Sequence, residues 1–173
     1  MCLISVAGIV HFAGPDYSKH SGERIEGVRR AFSESHLIFD SNSMIINTGD
    51  SIEAGYQTAL AYFSDQGTDH PTGVTCYNDL VALGLMKALR ELGLRVPEEV
   101  SIIGFDDISL LDYLPVPLTT VHVPIREMGR RAAELLLKQI ETQQTAPQEK
   151  IYLETELVVR GTTRPVEPMP PVA

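Results

Sequence analysis

Two adjacent carboxylates, Asp106 and Asp107, close the run Val100-Ser-Ile-Ile-Gly-Phe105. A carboxylate accepts paired hydrogen bonds from neighbouring hydroxyls or ring N–H groups, which is the chemistry of holding a small polar molecule. Val100, Ile102 and Ile103 have the nearly continuous apolar character of a strand buried on both faces of a parallel sheet. In an open α/β sheet, ligands bind outside the carboxyl ends of the strands, so these carboxylates face whatever the chain binds. No other chemistry competes with binding. The sequence has no G-x-S-x-G elbow, no Walker loop and no H-E-x-x-H. His11, His20, His36, His70 and His122 are scattered without metal-ligand spacing, so no catalysis, cofactor or metal is expected. An acidic pair at a strand end is also a feature of phosphoacceptor receiver domains. There the pair follows the first strand and a late lysine accompanies it, and neither holds here.

The elements that must position this edge alternate. Gly8 to Ala13 reads as a strand, punctuated by Gly14-Pro15-Asp16. Ile25, Val28 and Phe32 recur at helical spacing between Ser21 and Ser35, and Met44 to Thr48 is a second short strand. Asp50-Ser-Ile-Glu53 has capping-box spacing with Asp50 as N-cap, ahead of a helix with Ile52, Tyr56, Ala59, Leu60 and Phe63 on one face. Gly73 to Tyr77 is the third strand. Asn78 and Asp79 then open a helix from Leu80 to Leu92, with Gly93 placed as its C′ glycine. The first two turns of that helix, Leu80, Val81, Ala82, Leu83, Leu85 and Met86, are apolar nearly all round, so they must be buried twice. Either the helix is sandwiched in the core or it forms a subunit interface. After the central strand, Leu118 to Val123 alternates like a strand. Pro124 suits the first turn of a helix running to about Thr142, and one or two strands follow between Ile151 and Val159. The alternation predicts an α/β fold: a Rossmann-like parallel sheet flanked by helices on both faces.

At 173 residues this is one domain with at most a small appendage. The net charge of −9 argues against this chain gripping nucleic-acid phosphates itself. Cys2 and Cys76 are too few for a disulfide framework or a zinc site, which fits a reducing, cytoplasmic compartment. Met1 to Ala13 is apolar enough to suggest a secretory signal. It lacks a basic start and runs straight into Gly-Pro, so a core strand is expected instead. No stretch approaches the ~20 apolar residues of a membrane span. The Pro-rich end, Val166 to Ala173, reads as a disordered tail.

Several runs together resemble the effector-binding core of lac repressor-type (LacI/GalR family) transcriptional regulators, a periplasmic binding protein type I-like fold. They are Tyr77 to Gly84, Leu92 to Asp107, Pro117 to Pro124, Glu127 to Ala133 and Glu154 to Gly161. The resemblance spans Gly8 to Arg164 and weakens between His36 and Ile46. It implies that residues 1–117 are the carboxyl-terminal lobe of a two-lobed core. Residues 118–143 would be the crossover strand and helix that normally complete the other lobe, residues 144–165 the return strands, and 166–173 the tail. The resemblance also implies a DNA-binding headpiece ahead of the core, so the expectation is a truncated regulator lacking that headpiece, with operator DNA reached only through it.

The resemblance implies a small-molecule effector, a sugar or related metabolite, contacted first by Asp106. Arg24, in Arg24-Ile-Glu-Gly27, matches an arginine that reaches into the cleft with a fork of donors. Asn78 is either a ligand-pairing amide or an N-cap. Asp50, Ser18 and His20 complete the candidate set on the ligand wall and its loop. Leu83, Tyr113, Leu80 and Met86 fall at a side-by-side homodimer interface. The helix after Pro124, with Ile125, Leu135, Leu136 and Ile140, is expected to fold back on its own lobe or to be exchanged between subunits. The alternative reading is a periplasmic sugar-binding protein of an ABC-type transporter, which needs an export signal and no dimer face of this kind.

Overall fold

In the computed structural model, residues 8–66, 70–142 and 150–165 are described. The sequence readings of Met1 to Ala7 and of the tail from Val166 lie outside these residues. The elements run β1 (Ile9–Ala13), α1 (Lys19–Glu34), α2 (Ser41–Met44), β2 (Ile45–Asn47), α3 (Ile52–Gln66), β3 (Gly73–Cys76), α4 (Asp79–Glu91), β4 (Ser101–Asp106), β5 (Thr119–His122), α5 (Ile125–Thr142) and β6 (Glu156–Val158). A 3-10 turn at Ser109–Tyr113 joins β4 to β5. One six-stranded sheet in the order β2-β1-β3-β4-β5-β6 holds them, parallel except for β6, which is antiparallel to β5. The expected parallel α/β architecture is what forms. Of the terminal strands, only Glu156–Val158 pairs; Ile151 to Leu153 does not.

The strand period of two sorts the side chains between two layers. Val10, Phe12, Val74, Cys76 and Ile102 join Ala59 and Phe63 of α3 and Val81, Leu85 and Leu89 of α4 in the main buried core. The opposite set, His11, Thr75, Ile103, Phe105 and Val121, faces α1 and α5 across a cavity of about 1010 Å³. The order β2-β1-β3 puts the topological switch point beside the carboxyl end of β1, the place where such sheets bind ligands.

Helices α3 and α4 approach each other through glycine. A Cβ on Gly84 would lie 2.5 Å from Tyr56 N and closer still to Ile52 O, and one on Gly55 would lie 2.9 Å from Val81 Cα. Gly93, at φ +78°, ends α4 as a C′ glycine, with Leu94 N donating to Leu89 O at 2.9 Å. At the start of α4, Asn78 Oδ1 accepts from Val81 N at 2.9 Å, and Asn78 Nδ2 donates to Asp50 O at 3.0 Å. Asn78→Ala removes both bonds and should lower stability by about 1–2 kcal/mol, measured as a fall in the urea midpoint.

The cap of α3 differs from the sequence reading by one residue. Ser51 Oγ, not Asp50, accepts the Ala54 N–H at 3.2 Å, and Glu53 instead takes the amide of Gln57 at 2.7 Å. Asp and Ser are near-equal N-caps, so the geometry of the preceding turn decides between them. In helix α5 none of the residues is buried. Met128, Ala132 and Leu135 border the cavity, while Ile125, Leu136, Leu137 and Ile140 are exposed. The cavity separates its inner face from the sheet.

Candidate functional site at the carboxyl ends of the strands

Asp106 ends β4 at φ +110° and Asp107 follows at φ +58°. Both lie in the left-handed region that residues with a Cβ seldom occupy, and such backbone persists only where its surroundings hold it. Two sets of bonds hold it here. From one side, Asp79, fully buried in the first turn of α4, accepts the N–H of Ile108 at 2.9 Å, and the Thr120 hydroxyl donates to it at 2.5 Å. From the other, the Asp107 carboxylate accepts from Arg160 Nη2 at 2.7 Å and from His122 Nδ1 at 2.9 Å. A carboxylate only accepts, so the His122 proton sits on Nδ1. Asp107 is a strap across β5 and the segment after β6.

Arg24 comes from α1 to meet Asp106. Its guanidinium lies 3.8 Å from the centre of the Phe105 ring and 4.5 Å from that of Tyr77, and it donates to Tyr77 O. Its Nη2 is 3.5 Å from Asp106 Oδ1. Stacking between two aromatic faces fixes the plane of the fork and leaves the charge half-buried. Partial burial raises the Asp106 carboxyl above its ordinary value; Arg24 opposes this, and the charge of Asp79 adds to it. Burial also raises the Asp79 carboxyl, against the bonds from Thr120 and Ile108. Asp107 behaves oppositely. Partial burial would raise it, but the bonds from Arg160 and His122 prevail and hold it below the usual range.

The fold therefore unites Arg24 with Asp106 at the mouth of the cavity, where His20 and Glu23 also lie. His20 Nδ1 is 3.3 Å from Glu23 Oε2. Ser18 caps α1, accepting from Ser21 N at 3.4 Å, and its hydroxyl is 3.2 Å from the Tyr77 hydroxyl. The Asn78 amide is committed on both sides. The Asp50 side chain is exposed, one residue before the cap of α3. On the far face of α4, Leu80, Leu83 and Met86 are half-buried, and Tyr113 is 84% exposed. Leu83 and Met86 border a second cavity of about 610 Å³ with Leu94, Val96 and Leu114.

The contributors not singled out from the sequence include Phe105, Tyr77, Asp79 and Arg160. Phe105 and Tyr77 clamp Arg24 from the ends of β4 and β3, and Asp79 supports the loop from beneath. Phe105 was accessible in principle, since strand alternation puts it on the face opposite Ile102. Asp79 was hidden beside Asn78, because an acidic residue in a first helical turn is ordinary. Among the described residues, no group of three His, Cys, Asp or Glu side chains is placed to hold a metal, and no helix is long and apolar enough to cross a membrane.

A model of the periplasmic binding protein-like domain matches residues 5–163. The HTH-type transcriptional repressor PurR of Vibrio vulnificus (strain CMCP6) is 39% identical over 145 residues, taking in 83% of this chain and 42% of the repressor. A LacI family transcriptional regulator from Enterococcus faecium, solved with bound ribose, superposes with a TM-score of 0.83 at 32% identity, covering 95% of this chain and 59% of that one. The lac repressor dimer bound to operator and the anti-inducer ONPF gives a TM-score of 0.79 at 28% identity, covering 92% and 54%. The chain spans about two-fifths of the length of the curated relatives it matches. With this sheet order and matches along nearly its whole length, the chain belongs to the periplasmic-binding-protein-like effector-binding cores of LacI-family transcription repressors.

Proposed function

We propose that the chain is the effector-binding and dimerisation portion of a cytoplasmic LacI-family repressor, and that it takes a sugar at the Arg24–Asp106 corner. The observation that carries this is the pairing itself. A guanidinium fixed between Phe105 and Tyr77 stands beside a half-buried carboxylate at the mouth of the cavity. A fork of donors and an acceptor side by side match the alternating hydroxyls of a sugar, and the Phe105 ring offers an apolar face to its C–H surface. The relative from E. faecium was solved with ribose. Ligand closing on this corner would shift the populations of two arrangements of the core and so alter operator binding by the whole repressor. Dimerisation is assigned to α4 through Leu80, Leu83 and Met86, with Tyr113 beside them. DNA contacts belong to parts of the repressor beyond this chain, whose own net charge is −9.

Isothermal titration with D-ribose and with cellobiose tests the reading. One of the two should bind, and Asp106→Asn should weaken it by about 10- to 100-fold, the worth of one hydrogen bond to a charged group. Binding unaffected by Asp106→Asn, or no binding of either sugar, would count against it.

A further inference from the structure

We infer that Asp79 is a positioning residue for the ligand corner: from the buried start of α4, its carboxylate holds the left-handed backbone of Asp106 and Asp107 and so presents Asp106 to Arg24. This rests on the reading of Asp106 as a ligand carboxylate, and it goes further by naming what sets that carboxylate's posture.

Two donors converge on Asp79 from two elements. The N–H group of Ile108 comes from the loop, and the hydroxyl of Thr120 comes from β5. The Asp79 side chain is wholly enclosed, so bulk water does not compete for these bonds. Gly104 makes room for it. A Cβ there would collide with Asp79 Oδ1 and lie 2.9 Å from Leu118 Cδ2. A buried carboxylate carries a large desolvation penalty, and an apolar residue of similar size would fill the same space without it. What such a residue would lack is an acceptor aimed at the Ile108 N–H, directly after the point where φ turns positive twice. The groups around Asp106 are Arg24 on α1, Asp79 on α4, Asp107 beside it and His122 opposite it in register on β5. Asp79 is the one among these that bonds the backbone behind Asp106.

The test is NMR of the whole chain, reading the three-bond HN–Hα coupling of Asp106, which reports φ without any ligand and is small at φ +110°. In Asp79→Ala this coupling should rise to the averaged value of a free loop. In Asp79→Asn it should stay at the wild-type value, since an amide oxygen still accepts from the loop and its NH₂ can donate to Thr120 Oγ1. Loss of stability with the coupling unchanged in Asp79→Ala would mean that Asp79 only fills space, and would overturn the proposal. If Asp79→Ala does not fold, Thr120→Val decides. It removes the donor that orients the Asp79 carboxylate, and it should move the Asp106 coupling towards the averaged value; an unchanged coupling there overturns the proposal. A ribose titration of Asp79→Ala adds the functional arm, with affinity expected to fall about tenfold. Absence of sugar binding by the wild-type chain would sink the effector reading and leave the coupling result standing.

Discussion

Alanine at Gly84 should lower stability by about 4 kcal/mol or more, or prevent folding, among the largest effects expected of a single methyl group. The added Cβ would lie 2.5 Å from Tyr56 N, and closer to Ile52 O, so it meets helix backbone rather than a movable side-chain end. Overpacking by one methylene typically costs about 1–3 kcal/mol, because side chains can shift to admit it. Here the two helices must separate, and that opens the core where Ala59 and Phe63 meet Val81 and Leu85. Gly→Ala inside a helix otherwise favours folding by about 1 kcal/mol, so the sign of the result is itself diagnostic. Urea titration of Gly84→Ala beside Gly27→Ala makes the comparison. Gly27 lies within α1 with open space around its would-be Cβ. Gly27→Ala should be neutral or stabilising, and equal behaviour of the two variants would refute the close crossing.

The second large effect is a loss of stability in mild acid traced to His11. This side chain is 2% exposed; its Nδ1 lies 2.9 Å from Thr75 Oγ1, and its Nε2 is buried without a partner. Burial lowers its pKa to about 4, against a contact with Thr75 that raises it, and the charge of Arg24 adds to the lowering. The unfolded chain takes up a proton near pH 6.5, whereas the folded chain resists until about pH 4. The fold therefore keeps its full stability above pH 6.5 and loses up to about 3 kcal/mol as pH falls from 6.5 to 4. Asp79 and Asp106, whose carboxyls are raised in the fold, act in the opposite sense over part of this window. The clean measurement is thus the difference between wild type and His11→Phe. That difference in urea midpoint should change by an amount worth most of 3 kcal/mol between pH 7 and pH 4.5. Parallel pH profiles for the two proteins would show that His11 is not the group responsible.

Much of the site was readable because its signals are local. The apolar run Val100 to Ile103 ending in carboxylates is a buried strand reaching its carboxyl end, and the sheet order then places Asp106 at that edge of the sheet, beside the switch point. Asn78 and Gly93 bracket α4 through bonds a few residues long, which residue type alone foretells. Arg24 came from family resemblance, since on its own helix it is one cation among several. What makes it special is the pair of rings from β3 and β4, a contact that exists only after folding. Gly55 and Gly84 were opaque for the same reason: a glycine inside a helix discloses nothing until the neighbouring helix is in place. The shift of the α3 cap from Asp50 to Ser51 has a smaller cause, two good caps in adjacent positions.

The antiparallel join of β5 and β6 bears on how this molecule can change over evolutionary time. Neighbouring antiparallel strands need no more than a tight turn to connect them. Here the chain instead leaves the sheet after His122, makes helix α5 and returns at Glu156, directly opposite its point of departure. Departure and return share one rung of the ladder, so the excursion imposes no register on the sheet, and the sheet sets no length on the excursion. It is a port at which sequence can be added, removed or exchanged while every strand pairing survives. A lineage can therefore refit the structure that faces the Arg24–Asp106 corner without reopening the question of how the sheet beneath it folds.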